Sequence, residues 1–302
     1  MRILLTGGDG QVGWELRRAL AIQGEVLAPS RHELNLASAD SIVAAVRGIR
    51  PDLIVNSAAY TGVDKAESEP ALAMKVNGDA PRILAEEAAR LGAGIIHYST
   101  DYVFDGRKTA PYFESDEAAP VNVYGRTKLA GETGVTEAGP MHLVFRTSWV
   151  YGPRGRNFLL TVLRLARERK ELKVVNDQHG APTLARFIAE ATACAVARFS
   201  SAAGLDPERF RAMSGLYHLT AGGRTTWYEF ACEILHGIEA SARVLPTSTS
   251  SYPSPAQRPQ NSLLDNAKVG KLLGITLPDW KAGLKLCLEE LNAGVLKAPG
   301  IQ

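Results

Sequence analysis

Three side chains of this sequence have the types and the spacing that reduction of a carbonyl group requires. Tyr124 and Lys128 are four positions apart, so on a helix they lie on the same face. A neighbouring ammonium favours the phenolate and lowers the pKa of a tyrosine, which makes the phenol a stronger acid. Such a tyrosine can protonate the oxygen that remains after hydride has reached a carbonyl carbon. Thr100 follows an apolar segment and places a hydroxyl where it can hold the same oxygen.

A glycine-rich loop near the N-terminus predicts the dinucleotide site that this chemistry needs. Gly7, Gly10 and Gly13 match the TGxxGxxG spacing, between a segment that predicts a strand and one that predicts a helix. Glycine at these points permits a tight turn, a close approach of the backbone to a pyrophosphate, and close helix packing. The N-terminus of the helix then presents free N–H groups to the phosphates.

The end of the second predicted strand bears on the choice of cofactor. An acidic residue there would bind the ribose 2′-hydroxyl of NAD, but the strand ends Ala28-Pro29-Ser30-Arg31 without one. Arg31 can instead neutralise a 2′-phosphate, with Ser30 as a hydrogen-bond donor. We therefore expect NADPH to be preferred and keep NADH as the alternative, since Arg31 as a solvated surface charge stays open.

The order of apolar and amphipathic segments predicts an α/β protein with a Rossmann-type, doubly wound parallel sheet over residues 1–150. The predicted strands are 3–5, 26–28, 53–55, 95–98 and 142–146, and the predicted helices are 11–23, 38–49, 70–91 and 123–132. Their continuous apolar character is typical of strands that are covered on both faces.

The rhythm changes after Trp149, and residues 151–302 predict mainly a smaller, mixed α/β domain that binds substrate. A helix from about 184 to 200 is expected to return to the first domain. The other predicted helices are 157–170 and 227–235, the strands are 172–175 and 217–219, and two helical segments close the chain. Residues 200–207 predict an exposed loop.

The composition excludes several classes of protein. A chain of 302 residues that is 45% hydrophobic and 22% charged is typical of a soluble globular protein, and its net charge of +2 gives no long-range attraction to nucleic acid or membrane. The scattered Cys194, Cys232 and Cys287 form no CxxC pair, which argues against a metal cluster or a disulfide framework. We expect a cytoplasmic protein, because no signal-type segment precedes the first predicted strand.

Longer stretches of the chain resemble a known family. The chain is similar to the extended short-chain dehydrogenases/reductases and, within them, closely resembles the dTDP-4-dehydrorhamnose reductase family over nearly its whole length. The matching segments are Gly10 to Leu16, Val63 to Glu67, Ser99 to Phe104, Asn122 to Glu132, Phe145 to Tyr151, Asn176 to Thr183, and Arg258-Pro259.

This resemblance implies reduction of dTDP-4-dehydro-β-L-rhamnose to dTDP-β-L-rhamnose, the last step in making an activated cell-surface sugar. It also implies a role for each member of the catalytic group. Tyr124 would be the acid, Lys128 would lower its pKa and bind the nicotinamide ribose, and Thr100 would polarise the substrate ketone.

The resemblance extends to the cofactor site. Gly10, Gln11 and Val12 match the pyrophosphate-binding turn of the family. Ala59, Tyr60 and Thr61 match a segment that lines the cofactor after the third strand. Asn35 and Leu36 fall near the adenine, where relatives have an acidic and an apolar residue, so Asn35 departs from the pattern.

The substrate residues that the resemblance implies each have a structural alternative. Thr100 and Asp101 match substrate-contacting positions, and Asp101 is also suited to cap a turn. Trp149 matches a residue that packs on the sugar, and core packing is its alternative. Arg258 is suited to the diphosphate, which a guanidinium can bind bidentately, or to a surface ion pair.

Other functions within the superfamily stay open at this point. Dehydratases carry an Asp-Glu pair after the threonine, whereas Asp101 is followed here by Tyr102, so the base for elimination is missing. A related epimerase/reductase is not excluded. The NADP-binding regulatory subunit of methionine adenosyltransferase also resembles these reductases, although the retained Thr100, Tyr124 and Lys128 argue against a purely regulatory role.

Some members of the resembled family dimerise through a magnesium ion that carboxylates bind. Glu15 is present in this chain, but Arg186 occupies the position where we expect a second acid, and a cation disfavours Mg²⁺. We therefore expect no metal and either a monomer or a metal-free homodimer.

Overall fold

A computed structural model of the protein describes residues 1–201, 203–238 and 241–292. Its strands are β1 (Arg2–Thr6), β2 (Glu25–Leu27), β3 (Leu53–Asn56), β4 (Gly94–Thr100), β5 (His142–Thr147), β6 (Val150–Tyr151), β7 (Glu171–Val175), β8 (His179–Gly180), β9 (Thr183–Leu184), β10 (Ser200–Ser201), β11 (Gly204–Leu205), β12 (Gly215–His218), β13 (Thr225–Thr226) and β14 (Arg243–Thr247).

The helices alternate with these strands in the first half of the chain. They are α1 (Gln11–Ala19), α2 (Ala39–Ile49), α3 (Val63–Ser68), α4 (Pro70–Met74), α5 (Ala80–Leu91), α6 (Val123–Ala138), α7 (Phe158–Glu168), α8 (Ala185–Arg198), α9 (Pro207–Met213), α10 (Trp227–His236), α11 (Ala267–Leu273) and α12 (Trp280–Asn292). Short 3₁₀ turns cover Asp101–Val103 and Thr249–Ser251.

A six-stranded sheet in the order β12-β5-β4-β3-β1-β2 organises the molecule, and all of its neighbouring strands are parallel. Helices α1 and α8 cover one face, and α2, α5 and α6 cover the other. The predicted α/β fold with a doubly wound parallel sheet is confirmed. The chain reverses its direction of winding between β1 and β3, and a crevice at the carboxyl ends of the strands is expected at such a point.

Residues beyond 150 contribute to two apolar cores. One contains Tyr151, Phe230 and Trp280, together with side chains of α7 and α12. The other lies under the large sheet and includes Ile188 of α8 and Tyr217 of β12. The sheet and its core therefore draw on both halves of the chain, and the division at residue 150 stays a prediction.

The helix predicted over residues 70–91 contains a π-helical turn at Lys75–Asp79, between α4 and α5. The turn presents the buried Asn77, whose amide accepts a hydrogen bond from the N–H of Tyr60 at 2.8 Å and donates to the hydroxyl of Thr127 at 3.2 Å. π-Helical turns inside α-helices occur frequently at functional sites.

Helix α6 continues six residues beyond its predicted end at Glu132. Gly131 lies inside it because a Cβ at this position would collide with the carbonyl oxygen of Asn77. The glycine permits close packing of the π-turn on α6 instead of ending the helix. The loop predicted over 200–207 contains the short antiparallel pair of β10 and β11.

Within the described ranges, no helix is both long and apolar enough to cross a membrane.

Candidate active site

The glycine loop joins β1 to α1 through a tight turn. Gly7 has a φ of 71°, and its carbonyl oxygen accepts a hydrogen bond from the N–H of Gly10 at 2.9 Å. A Cβ on Gly13 would collide with that carbonyl oxygen, so only glycine lets the helix pack against the loop. The first turn of α1 carries no acidic residue, which leaves its N–H groups and the positive end of its dipole open to an anion.

A cavity of about 360 Å³ opens above this loop at the crevice between β1 and β3. Seven of the predicted cofactor residues line it: Gly7, Gly10, Arg31, Asn35, Leu36, Ala59 and Tyr60. The remaining predicted cofactor residues, Gln11, Val12, Gly13, Ser30, Thr61, Tyr124 and Lys128, do not line it. Thr6, Gly8 and Asp9 of the loop also line it. The rest of its wall was not predicted as cofactor-binding and consists of Pro29, Leu34, Ala37, Ala58, Lys65, Glu69, Leu72 and Val76.

The segment after β2 contains a carboxylate, that of Glu33, which was not among the residues predicted from the sequence. The backbone N–H of Ser30 donates to the Glu33 carboxylate at 2.7 Å, and this hydrogen bond lowers the pKa of Glu33. Arg31 lies exposed beside it. Asn35 uses its side-chain oxygen to accept from the N–H of Ala37 at 3.0 Å. A carboxylate therefore lies in the turn that follows β2, hydrogen-bonded to the residue next to Arg31.

Tyr124 and Lys128 lie on one face of α6, as their spacing predicts. Asn122 caps the helix by accepting from the N–H of Gly125 at 2.8 Å, and its amide donates to the carbonyl of Gln257 at 2.7 Å. The first turn of α6 is therefore tied to the C-terminal part of the chain. Tyr124 is partly buried, and its ring meets that of Tyr102 edge to face, with centroids 5.6 Å apart.

Burial changes the acidity of the tyrosine in the direction opposite to our expectation. It raises the pKa of Tyr124 to about 12, while the hydroxyl of Thr100 lowers that pKa and the Asp101 carboxyl raises it. The expectation counted the positive charges of Lys128 and of an oxidised nicotinamide, and it omitted the cost of burying a phenolate. The phenol therefore stays protonated throughout the neutral range, which suits a proton donor.

Lys128 is almost fully buried, with 2% of its surface exposed. Its ammonium nitrogen donates to the carbonyl oxygen of Tyr98 at 2.6 Å and lies 3.3 Å from Nε2 of His97. Burial lowers the pKa of Lys128 to about 8, although the carboxylate of Glu132 acts in the opposite direction. His97 was not among the predicted residues, and the sequence signal was a histidine inside an otherwise apolar strand.

Thr100 ends β4 at the carboxyl edge of the sheet, where it is 4% exposed. Its hydroxyl donates to Oδ1 of Asp101 at 2.9 Å and accepts from the N–H of Tyr102 at 3.2 Å. Burial raises the pKa of Asp101 to about 7, against the lowering effects of Ser262 and Thr100. Its Oδ2 has no hydrogen-bond partner in the described part of the chain. Thr100 and Asp101 thus form a buried polar pair, and the Thr100 hydroxyl also acts on the pKa of the partly buried Tyr124.

Trp149 and Arg258 come from segments that fold over this edge. Trp149 stacks on Trp227, and a Cβ on Gly180 would collide with its indole ring. Arg258 binds both carboxylate oxygens of Asp64, at 3.1 and 2.8 Å, and its side chain is 24% exposed. Both structural alternatives considered above, packing for Trp149 and an ion pair for Arg258, describe contacts that these residues make.

A second cavity, of about 420 Å³, has Arg258 in its wall. Arg107, Thr249, Tyr252 and Gln260 line it as well, and none of these was predicted from the sequence. The segment 252–260 borders this cavity and also supplies the carbonyl that anchors Asn122. The cavity is therefore joined to the first turn of α6, which carries Tyr124.

Arg186 occupies the carboxylate-rich surface between α1, α8 and α12. Its guanidinium binds Glu290 at 2.7 Å and Glu15 at 3.4 Å. No group of three or more histidine, cysteine, aspartate or glutamate residues suited to a metal ion occurs among the residues that the structure describes.

Comparison with known proteins shows the family to which the chain belongs. A family profile described as RmlD substrate binding domain matches residues 1–293. The dTDP-4-dehydrorhamnose reductase of Burkholderia thailandensis is 48% identical over 301 residues, which cover 96% of this chain and 99% of the relative. The chain belongs to the dTDP-4-dehydrorhamnose reductase family. The family predicted from the sequence is therefore confirmed.

Solved structures of this family superpose closely on the chain. A dTDP-4-dehydrorhamnose reductase of Clostridium acetobutylicum has a TM-score of 0.89 and 35% identity, covering 97% of this chain and 100% of that protein. One from Bacillus anthracis, in complex with NADP, has a TM-score of 0.87 and 33% identity, covering 96% and 99%.

Proposed function

We propose that the chain reduces the C4 ketone of dTDP-4-dehydro-β-L-rhamnose to the alcohol of dTDP-β-L-rhamnose, as an NAD(P)H-dependent oxidoreductase. The observation that carries this proposal is near-full-length identity of 48% to a dTDP-4-dehydrorhamnose reductase. The grouping of Thr100, Asp101 and Tyr124 at the carboxyl edge of the sheet supports it, because open α/β sheets bind their ligands there.

Tyr124 is the proton donor in this proposal. Its raised pKa keeps the proton on the phenol until negative charge develops on the substrate oxygen. Thr100 would hold that oxygen by rotating its hydroxyl proton from Oδ1 of Asp101 to the substrate. Lys128 stabilises the phenolate as it forms and binds the nicotinamide ribose. Because Lys128 is buried, the attraction between its charge and the phenolate is weakened less by solvent.

The residues of the first cavity suit a nicotinamide dinucleotide, which supplies hydride when it is bound. Gly7, Gly10 and Gly13, with Gln11 and Val12 in the first turn of α1, would hold the pyrophosphate. Asn35 and Leu36 would lie near the adenine. The segment Ala59-Tyr60-Thr61 would follow the cofactor toward the nicotinamide.

NADPH is the preferred cofactor in this proposal. The Bacillus anthracis relative is a complex with NADP, and Arg31 lines the cavity where a 2′-phosphate would be neutralised, with Ser30 beside it. A lower KM for NADH than for NADPH would overturn this preference.

The nucleotide sugar would occupy the second part of the site. Asp101 and Trp149 would contact the sugar, and Arg258 would bind the diphosphate from the wall of the second cavity. Asp64 already holds the guanidinium of Arg258 in place, and the donors that it leaves unused would bind the diphosphate.

The functional setting that we propose is a cytoplasmic enzyme that binds neither nucleic acid nor membrane and acts as a monomer or a metal-free homodimer. Arg186 supports the absence of Mg²⁺, since it already neutralises Glu15 and Glu290. Sedimentation with and without Mg²⁺ tests this point, and dimerisation that depends on Mg²⁺ would overturn it.

The test of the function is turnover by the purified chain alone, with dTDP-4-dehydro-β-L-rhamnose and each nicotinamide cofactor. We expect oxidation of NADPH and formation of dTDP-β-L-rhamnose, identified by mass spectrometry and NMR. A regulatory subunit would bind the dinucleotide but need a partner for any effect. An epimerase/reductase would be recognised by a product with altered configuration elsewhere in the ring.

A further inference from the structure

A network of buried polar side chains connects Thr6, at the start of the glycine loop, to Lys128. The hydroxyl of Thr6 donates to Oδ1 of Asn56 at 2.6 Å, and Nδ2 of Asn56 lies 3.0 Å from Nδ1 of His97. Nε2 of His97 lies 3.3 Å from Nζ of Lys128. Each of these four residues is at most 2% exposed. The side chains of this network therefore form their hydrogen bonds with one another and with backbone groups.

The donors and acceptors of this network determine which ring nitrogen of His97 carries the proton. The amide nitrogen of Asn56 has hydrogens but no acceptor, so Nδ1 of His97 must accept from it. Burial, and then the charge of Lys128, hold the pKa of His97 far below its usual value, so the ring is neutral. A neutral ring that accepts at Nδ1 carries its single proton on Nε2, which faces Lys128.

An ammonium group has no lone pair, so the Nε2–H of His97 can donate only to the neutral amine of Lys128. A charged Lys128 requires the opposite polarity. The ammonium then donates to Nε2, the ring proton lies on Nδ1, and the Asn56 amide turns to present its oxygen to His97 and its nitrogen to Thr6. The histidine is neutral in both arrangements. The network as a whole holds one more proton when Lys128 is charged.

We propose that His97 is a positioning residue that supports the charge of Lys128 by moving its single ring proton between Nε2 and Nδ1. This inference rests on the proposed function, in which Lys128 acts beside Tyr124. Its geometric basis is independent, because each end of the imidazole has one polar partner and the two partners come from different elements, β3 and α6.

None of the other described groups that face Lys128 changes its hydrogen bonding with the charge of Lys128 in the way that His97 can. The carbonyl of Tyr98 accepts one hydrogen bond from Lys128 whether the amine is charged or neutral. Glu132, one turn later on α6, is bound through both of its oxygens to Arg146 of β5, at 2.9 and 2.7 Å. Tyr124 lies on the same face of α6 and carries no charge before the reaction.

The direct test is the position of the ring proton in the wild-type protein. Two-bond ¹H–¹⁵N spectra of ¹⁵N-histidine protein distinguish the two tautomers, and His97→Gln identifies the signals of His97. We expect the proton on Nε2 above the pKa of Lys128 and on Nδ1 below it, with a changeover in the neutral to alkaline range. The same tautomer throughout pH 6 to 10 would overturn the proposal.

A kinetic test uses His97→Leu and His97→Gln. Leucine cannot accept from the ammonium, so the alkaline limb of kcat/KM should move down by about one to two pH units. Glutamine can accept or donate, and it should restore the limb toward the wild-type position. His218→Leu is the matched control, because His218 is fully buried in β12 without contacting Lys128. An unmoved limb in His97→Leu, or an equal movement in the control, would contradict the proposal.

These two measurements separate the inference from the proposed function. The tautomer is observed without substrate or turnover. A proton that changes position in a protein lacking reductase activity would leave the inference intact and overturn only the function.

Discussion

Trp149 and Trp227 stack face to face, with ring centroids 3.5 Å apart and planes 5° apart. Trp149 has a φ of 48°, in the left-handed region, which costs a non-glycine residue about 1–3 kcal/mol. The stacked ring of Trp227 and the absent side chain of Gly180 keep it in this conformation. In the proposed function, this pair presents one aromatic surface to the sugar.

Replacing Trp227 should therefore weaken sugar binding through Trp149. We expect Trp227→Leu to raise KM for the nucleotide sugar by about two- to twelvefold, the equivalent of one aromatic pair, with less effect on kcat. Trp280→Leu is the control, since Trp280 is buried in the same apolar core and packs on Phe230. If both variants raise KM equally, general loosening of this core explains the effect and the stack does not.

Removal of the Tyr124 hydroxyl should abolish most of the activity. Because general acid catalysis by a positioned group contributes about 10²-fold or more, we expect Tyr124→Phe to lower kcat by that factor at unchanged stability. Tyr102→Phe is the matched control, because its ring touches that of Tyr124. A kcat for Tyr124→Phe close to that of the wild type would remove Tyr124 from the mechanism.

Asp101 should make the protein less stable as the pH rises. Its pKa is about 7 in the folded protein, against about 3.9 in an unfolded chain. Between these values the folded state keeps a proton that the unfolded chain has released, so the free energy of unfolding falls as the pH rises from about 4 to 7. Asp101→Asn should remove this loss, so its Tm relative to the wild type should increase between pH 4 and pH 8.

Asp105 provides a control of opposite sign. The backbone N–H of Arg107 and the hydroxyl of Tyr112 lower the pKa of Asp105, so its contribution to stability is lost as the pH falls. Asp105→Asn should therefore differ most from the wild type near neutral pH. Parallel Tm curves for Asp101→Asn and the wild type would show that the aspartate is ionised in the folded state.

Arg258 should not be replaceable by lysine. Lysine cannot bind Asp64 bidentately and still present donors to a diphosphate. We expect Arg258→Lys to raise KM for the nucleotide sugar about tenfold or more, the equivalent of one charge-assisted hydrogen bond. Arg47→Lys removes a similar bidentate pair with Glu87 outside both cavities, so its KM should equal that of the wild type. An unchanged KM in Arg258→Lys would exclude Arg258 from substrate binding.

The carboxylate of Glu33 should oppose a 2′-phosphate. It is bound to Ser30, beside Arg31, so its charge lies near the position predicted for that phosphate. We expect Glu33→Gln to lower the ratio of KM for NADPH to KM for NADH by up to about fivefold, the usual strength of an exposed charge interaction. Glu25→Gln, on the neighbouring strand β2, is the control. A ratio that does not change would show that Glu33 only caps its turn.

Several features of the fold follow from local patterns and were predictable for that reason. Alternating apolar and amphipathic segments predict parallel strands with crossover helices, and the glycines at 7, 10 and 13 mark the first crossover. The predicted end of α6 at Glu132 was too early, since the helix continues to Ala138. In the structure, Gly131 allows Asn77 to approach the helix closely.

The sequence alone determined the family, the fold and the candidate residues Thr100, Tyr124 and Lys128, since these depend on residue types at short spacings. Only the tertiary structure decided which partners those groups contact and in which direction their pKa values shift. Partners distant along the chain, Arg258 with Asp64 and His97 with Lys128, meet only after folding. The direction of the Tyr124 pKa depends on burial, which is a property of the whole packed molecule and is not encoded at any short spacing.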